Sequence, residues 1–249
     1  MNIIINSPLE QFEINNFVNN LSFLKFTTFS LYCILVLGVY YIFNIYVFKS
    51  GKLISTNYNI FIEALYSTIL NMVKSQIGNK GNKYFPLIYS LFIFILFSNL
   101  ISMIPYNFAI NAQLIFTISL SITIWIGLTI LGLIKHKFEY FGLFIPSGTS
   151  LPLVPFLVII EIISNIARSI SLGLRLGANI LSGHLLLTIL CGLIFDFIIS
   201  SSFIIAILGF IPLIIILGIV SLEFAIAAIQ AYVFCVLTCS YIKDAIYLH

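Results

Sequence analysis

Side chains able to carry or block protons lie inside a long apolar stretch of this sequence. Residues 161–184 read EIISNIARSISLGLRLGANILSGH and carry Glu161, Arg168, Arg175, Asn179 and His184. An arginine at bilayer depth costs roughly 2.5 to 3.5 kcal/mol on insertion scales, so it persists only if it is paired, hydrated or able to snorkel. Glutamate and histidine can relay protons, whereas arginine does not give up its proton. The pattern predicts two proton paths separated by a fixed cation.

Arg175 has no acidic neighbour within one helical turn. The nearest acids are Glu161, fourteen residues earlier, and Asp196, twenty-one residues later. Because side chains on one helix pair at a spacing of three or four residues, its counter-charge must come from another helix or another chain. The alternative is that Arg175 snorkels to a lipid headgroup, but about fifteen apolar or small residues flank it on either side.

Helical geometry places most of these side chains on one stripe. At about 100° per residue, Glu161, Arg168 and Arg175 fall within about 40° of one another, and Asn179 joins them one turn further on. His184 points to about the opposite face. Each residue also has a simpler explanation: an interfacial Glu161, a structural Arg168, a packing His184 and an Asn179 that only bonds a neighbouring helix.

A second apolar stretch, residues 200–243, carries a matching stripe. Glu223, Gln230 and Tyr241 lie close to one face of a helix, and Gln230 has the same helix-bonding alternative as Asn179. Two antiparallel helices would then hold titratable groups at two depths, with Arg175 between them. Arg168, Tyr241 and Asp244 are secondary members of this candidate site.

Small residues near Arg175 predict a close helix contact. Gly173 and Gly177 form a G-x-x-x-G step, which permits close approach of a neighbouring helix. We expect this surface to admit a partner helix that brings a carboxylate to Arg175.

The composition excludes a soluble globule. The 249 residues are 61% hydrophobic and only 8% charged, with a mean hydropathy of +1.17. No ten-residue alternation typical of a membrane barrel occurs, so the predicted fold class is all-α, a polytopic membrane protein. The net charge of +3 is too small and scattered to indicate a nucleic-acid partner.

The apolar stretches predict a single membrane domain. We expect a first span at 27–48, an amphipathic surface helix at 55–78 whose apolar face includes Ile60, Tyr66 and Val73, and a hairpin of spans at 85–103 and 111–133. Residues 156–195 and 200–243 are each about twice as long as a span needs. Each is therefore either two spans or one tilted helix, and residues 209–212 and Gly218 are the candidate breaks. Neither stretch has turn chemistry beyond Pro212, which favours a tilted, proton-conducting pair.

Loop lysines indicate the orientation. Lysines stand between or after the apolar stretches at positions 49, 52, 74, 80, 83, 135, 137 and 243. By the positive-inside rule these loops and the C-terminus face the cytoplasm or the mitochondrial matrix, and the N-terminus faces the other side. Cys33, Cys191, Cys235 and Cys239 form no C-x-x-C pair, so we interpret them as small core residues rather than metal ligands or disulfide partners. We expect no cofactor. His136 is expected to be solvated.

Several motifs carry a family resemblance. SLGLRLGAN at 171–179, followed by GHLL at 183–186, resembles the signature of subunit a of the F-type ATP synthase. The likeness continues in SPLEQFE at 7–13, NLISMIPY at 99–106, LEFA at 222–225, IQAYV at 229–233 and YIKDA at 241–245. The chain is most similar to the mitochondrial form from yeasts.

The resemblance implies a role for each site residue. Arg175 would be the essential arginine facing a carboxylate on each passing c subunit. His184 and Glu223 would line the half-channel from the intermembrane space, Glu161 would line the matrix half-channel, and Asn179 and Gln230 would lie beside the arginine.

The resemblance also implies a setting. The chain would be a multi-pass protein of the mitochondrial inner membrane, with its N-terminus in the intermembrane space. Its partners would be the c-ring, subunit b, small membrane subunits and lipid, in a dimeric complex, and residues 1–6 would be a removed leader. The chain carries no nucleotide or phosphate motif, so it would not be catalytic on its own.

Two other functions remain open from the sequence. A haem-bearing respiratory subunit needs paired axial ligands, and only His184 of the three histidines lies within an apolar stretch. An autonomous proton-coupled secondary transporter would show inverted repeats with matching broken helices, and we see no internal repeat. Proton conduction that requires a c-ring would separate the main hypothesis from a transporter.

Overall fold

The all-α prediction is confirmed. The computed structural model describes residues 12–14, 16, 26–49, 57–104, 107–144, 153–199 and 210–247. These residues form helices, apart from turns, short connections and one isolated bridge between Asn16 and Thr27. The predicted leader at 1–6 lies outside the described residues.

The described residues include six α-helices. They are α1 (Thr28–Lys49), α2 (Asn57–Ile77), α3 (Phe85–Ser102), α4 (Leu114–His136), α5 (Val154–Ile199) and α6 (Phe210–Ile246). Short 3-10 helices lie at Asn79–Lys83, Ile110–Ala112 and Lys137–Phe144. Among the described residues, all of the α-helices except α2 are long and apolar enough to cross a membrane, as expected for a polytopic membrane protein.

Helix α2 forms where an amphipathic helix was predicted, and its position on the membrane surface stays a prediction. Ile69, Met72, Val73 and Ile77 are buried, whereas Ile60 and Tyr66 are exposed. The exposed Tyr66 ring still meets Phe85 of α3 edge-on, with 4.7 Å between ring centroids. Apolar residues occur on several sides of this helix, so its periodicity does not identify the packed side.

The hairpin of α3 and α4 is tied together at its turn. Helix α4 begins at Leu114, three residues later than the predicted start at 111, because Ile110–Ala112 form a 3-10 turn. The side-chain amide of Asn111 donates to Ser98 Oγ and to Asn99 Oδ1, both at 2.6 Å. Asn99 in turn donates to the backbone oxygen of Ala227 in α6 at 3.1 Å. This buried network joins the hairpin to α6.

Each of the two longest stretches contains one continuous helix rather than two spans. Helix α5 has 46 residues and α6 has 37, so at 1.5 Å per residue α5 is about 69 Å long. Pro212 lies in the first turn of α6, where the backbone N–H groups have no partner within the helix, so it does not interrupt the helix. Gly218, the other break considered, lies inside α6.

Helix α5 packs closely on α4, and the two glycines explain why. A Cβ atom on Gly173 would lie 2.6 Å from the backbone oxygen of Thr117, and one on Gly177 would lie 2.8 Å from the Thr117 Oγ1. The G-x-x-x-G surface is therefore occupied by this chain's own α4. The expectation that it admits the partner of Arg175 is wrong.

Candidate functional site

Helices α5 and α6 run antiparallel and meet at three polar points. Tyr241 Oη donates to the backbone oxygen of Arg168 at 3.3 Å, and Asn179 Nδ2 donates to Gln230 Oε1 at 3.2 Å. Further along, Gly183 lies against the carboxyl group of Glu223, where an added Cβ would be 2.6 Å from Oε1. From one contact to the next the residue number increases on α5 and decreases on α6, as expected for antiparallel helices.

The stripe predicted on α6 faces the protein interior. Glu223 is 6% exposed, Gln230 4% and Tyr241 9%. The stripe on α5 is more open, since Glu161 is half-buried and Arg168, Arg175 and Asn179 are exposed. The polar groups of α6 therefore lie inside the helix bundle and not on its outer surface.

A cavity of 290 Å³ lies at one end of this helix pair, and we call it the Glu161 cavity. Four predicted site residues, Glu161, Arg168, Tyr241 and Asp244, line it, together with Trp125, Leu128, Thr129, Tyr140, Asn165 and Ala245. The structure brings both acids and one arginine to the same space, although Asp244 is 83 residues from Glu161 in the sequence.

Asn165 and Tyr140 also line the Glu161 cavity, and neither was predicted as a site residue from the sequence. The Trp125 indole nitrogen donates to Asn165 Oδ1 at 3.3 Å. Asn165 lies one turn after Glu161, so its position on the polar stripe of α5 was a signal that could have identified it.

Tyr140 is the second of these residues, and it lies in the 3-10 helix after α4. Burial raises the pKa of the Tyr140 phenol above its ordinary value, and the nearby Asp244 carboxylate adds to the rise. The phenol therefore stays protonated at physiological pH and can donate a hydrogen bond in the cavity wall. No sequence pattern indicated Tyr140.

A second cavity of 250 Å³, the Glu223 cavity, lies further along α5. Its polar lining consists of Asn179, Ser182 and Glu223, and its apolar lining includes Met103, Ile180, Leu186 and Ile226. Both carboxyl oxygens of Glu223 are buried and have no hydrogen-bond partner among the described residues. The amide nitrogen of Gln230 is also buried and has no partner among them. Because buried polar atoms are nearly always hydrogen-bonded, these three atoms need partners other than the described residues.

His184 lies beside this region but not in the lining of the Glu223 cavity. Its Nε2 is buried without a hydrogen-bond partner in the described part of the chain. Its ring meets Phe12 edge-on, with centroids 6.4 Å apart. The backbone oxygen of Phe12 accepts a hydrogen bond from Gln113 at 2.7 Å, so Phe12 is held beside His184.

Arg175 lies between the two cavities on the outer side of α5. It lines an open groove with Ala167, Ile170, Ser171, Leu174 and Ala178. It is fourteen residues from Glu161 and eight from Gly183, or about 21 Å and 12 Å along the helix. No carboxylate of the described residues forms an ion pair with it. The counter-charge predicted for Arg175 is therefore absent from the part of this chain that the structure describes.

The predicted cysteine environments are only partly right. Cys235 and Cys239 are buried and Cys33 is half-buried, whereas Cys191 is exposed. His136, expected to be solvated, is half-buried and contacts the end of α6.

These features define a class of protein. A bundle of apolar helices holds two cavities with acidic lining residues, Glu161 and Asp244 in one and Glu223 in the other, and Arg175 lies between them on an open face. This is the architecture of an intramembrane ion-translocating subunit.

Comparison with known proteins agrees with that class. A family model described as ATP synthase A chain matches residues 29–243. ATP synthase subunit a of Yarrowia lipolytica is 55% identical over 256 residues, covering 100% of both chains. The subunit from Saccharomyces cerevisiae is 55% identical over 258 residues, covering 100% of this chain and 98% of the relative. That from Candida glabrata is 56% identical over 254 residues, covering 98% and 96%.

The chain therefore belongs to the ATP synthase subunit a family of the mitochondrial F-type enzyme. The resemblance predicted from SLGLRLGAN and its companion motifs is confirmed. The chain is a membrane subunit that serves proton transport in ATP synthesis.

Proposed function

We propose that this chain is the proton-conducting stator subunit of the synthase and forms two offset half-channels that meet the rotor at Arg175. The observation that carries the proposal is the position of Arg175 between two polar cavities that open at different depths along α5. A proton entering one cavity cannot continue through this chain past the arginine. It must travel on the c-ring to reach the other.

The Glu161 cavity supports a half-channel on the matrix side. It gathers two carboxylates, Glu161 and Asp244, with Arg168 at their level. Carboxylates accept and release protons, so both groups can take part in a proton path. The lysines near this end of the bundle support its placement toward the matrix, by the positive-inside rule.

The Glu223 cavity supports the half-channel from the intermembrane space. Glu223 is its titratable group, and Asn179 and Ser182 supply polar atoms along the wall. The Asn179–Gln230 hydrogen bond joins α5 to α6 next to this cavity, one turn from Arg175. We propose that His184, with its unpartnered Nε2, lies at the entrance, because Phe12 and the N-terminal segment lie beside it.

Arg175 would hold the deprotonated carboxylate of each passing c subunit. Its groove is open and lined by small and apolar residues, so a rotor helix could approach closely. Because its guanidinium keeps its charge at any physiological pH, it would attract the carboxylate yet pass no proton. Each charge that crosses supplies about 2.3 kcal/mol per 100 mV.

We propose the corresponding assembly and orientation. The N-terminus faces the intermembrane space and the C-terminus the matrix of the inner mitochondrial membrane. The partners are the c-ring at the Arg175 groove, and subunit b, small membrane subunits and lipid around the remaining apolar surface, in a dimeric complex. The subunit needs no nucleic acid, metal or cofactor for this role. The chemistry of ATP takes place in other subunits of the complex.

The test is passive proton flux and ATP-driven pumping in the reconstituted complex, comparing wild type, Arg175→Ala and the exposed control Lys83→Ala after native-gel confirmation of assembly. We expect Arg175→Ala to abolish pumping while passive flux persists or rises, and Lys83→Ala to behave as wild type. Pumping by Arg175→Ala at a near-normal rate would refute the separator role. Proton conduction by the chain without a c-ring would favour an autonomous transporter instead.

A further inference from the structure

The C-terminal end of α6 is held by two donors from α4. Lys135 Nζ and His136 Nε2 both lie 3.1 Å from the backbone oxygen of Ile246. Ile246 is the last residue of α6 and is 3% exposed. The last carbonyls of a helix lack partners within it, and cationic side chains are favourable there. A carbonyl oxygen has two lone pairs, so it can accept both bonds at once.

The residue that follows this pair begins the 3-10 helix that contributes Tyr140 to the wall of the Glu161 cavity. Lys137 has a φ of 51°, which is uncommon for a residue other than glycine. It begins the 3-10 helix Lys137–Phe144. This helix packs Tyr140 against Gly132 so closely that a Cβ on Gly132 would overlap the ring, and Tyr140 lines the cavity. Residues 135–137 thus connect the end of α6 to the cavity wall.

The donors hold the part of α6 that carries its cavity residues. Tyr241 and Asp244 lie five and two residues before Ile246 on the same continuous helix, and both line the Glu161 cavity. Because a helix is rigid over this distance, fixing the Ile246 carbonyl fixes the depth and rotation of both side chains. The Lys80 ammonium adds a further contact, 5.0 Å from the centroid of the Tyr247 ring.

We propose that Lys135 and His136 are positioning residues for proton transfer at the Glu161 cavity. They act through α6, by holding Asp244 and Tyr241 opposite Glu161 and Arg168. This inference rests on the proposed function, because it assigns proton conduction to that cavity.

Matched substitutions separate the hydrogen bond from general packing. The side-chain amide of His136→Gln can occupy the position of the histidine Nε2, whereas His136→Asn carries the same amide one methylene short. Lys135→Arg keeps a cationic donor and Lys135→Met removes it. Lys83→Met is the control for loss of an exposed lysine on the same side. Each variant is assembled in the full complex and reconstituted in vesicles.

Two readouts report positioning. We expect His136→Asn and Lys135→Met to lower ATP-driven pumping roughly threefold, since small misplacements of reacting groups slow transfer strongly. We also expect both variants to change how pumping depends on the pH of the compartment that the C-terminus faces. The cavity groups that set this dependence are Glu161, Arg168, Tyr140, Tyr241 and Asp244. His136→Gln, Lys135→Arg and Lys83→Met should retain the wild-type profile. Hydrogen exchange of the backbone amides of residues 243–247 should quicken in the two defective variants.

The possible outcomes are distinct. Equal pumping and pH profiles in His136→Asn and His136→Gln, with unchanged exchange at 243–247, would overturn the positioning role. Variants that assemble too poorly for a pumping assay are compared by hydrogen exchange of residues 243–247 in the solubilised complex. An exchange rate equal to that of wild type would also overturn the positioning role. If Arg175→Ala pumps normally, the proposed function itself fails. If Arg175→Ala is inactive while the α4 variants resemble wild type, only this inference fails.

Discussion

Gly183 of α5 packs directly against the carboxyl group of Glu223 of α6, since a Cβ atom on the glycine would lie 2.6 Å from Oε1 and 3.0 Å from Cδ. The absence of a side chain at position 183 makes room for a buried carboxyl group in the helix interface. The conformation of Glu223 in its cavity therefore depends on a glycine of the neighbouring helix.

Gly183→Ala should impair proton conduction. The added methyl group must push the Glu223 carboxyl group to another position in the Glu223 cavity. We expect pumping by the assembled complex to fall by roughly tenfold, since a misplacement of about 1 Å can slow a reaction by up to about a hundredfold. Gly192→Ala is the matched control, because nothing lies within 4 Å of a Cβ at that position of α5. Equal activity of the two variants would contradict this account.

Gly173→Ala should destabilise the subunit more than Gly177→Ala. A Cβ at 173 meets backbone atoms of α4, the Thr117 oxygen at 2.6 Å and the Ile118 Cα at 2.9 Å, which cannot rotate away. A Cβ at 177 meets chiefly the ends of side chains, which can move. We expect a loss of about 1 to 3 kcal/mol for Gly173→Ala, measured by denaturation of the complex in detergent.

The control for this comparison is Gly127→Ala, because a Cβ at that position of α4 has nothing within 4 Å. It should unfold at the wild-type denaturant concentration. If Gly177→Ala is the less stable variant, the α4 backbone near Gly173 moves more easily than the α4 side chains near Gly177, which would contradict this prediction.

Asn111→Ala should weaken the junction between the α3–α4 hairpin and α6. It removes both donors to Ser98 and Asn99 and leaves buried acceptors unpaired, which costs about 1 to 3 kcal/mol. Ser119→Ala, on an exposed part of α4, loses only a bond to the backbone of its own helix. The midpoint of denaturation should fall for the first and stay constant for the second. Equal midpoints would show that the network adds no stability.

Tyr241→Phe should have a small effect. The change keeps the ring and removes the hydroxyl group that donates to the Arg168 backbone oxygen at 3.3 Å. Polar bonds between membrane helices average about 0.6 kcal/mol, so we expect stability to fall by about that amount and pumping to fall less than about threefold. Tyr232→Phe, on an exposed position of α6, is the control. A complete loss of pumping would instead make the phenol a proton carrier.

Helix locations were predictable because the physical signal is strong. Long apolar stretches must form helices in a membrane, since every backbone polar group needs a partner there. Where both are described, predicted starts and ends differ from those observed by a few residues. The predicted start of the last helix at 200 lies outside the described residues, and α6 is described from Phe210 onward.

The polar residues of the site were also visible in the sequence, because charged groups inside apolar stretches are conspicuous. Asn165 lies on the same stripe of α5 and was overlooked, although its spacing from Glu161 indicated it. Tyr140 could not be found in this way, since its role depends on a turn after α4 that packs it against Gly132.

The sequence by itself determined the membrane helices, the stripe of polar groups on each of the two long helices, and the family. Tertiary structure alone decided which way each helix faces: Gly173 and Gly177 contact α4, Glu223 contacts Gly183, and α2 buries Ile69 and Val73. Periodicity fixes the angles between residues on one helix but not the rotation of that helix against its neighbours. In a membrane the lipid-facing and protein-facing sides are both apolar, so only the fit of side chains between helices selects the rotation.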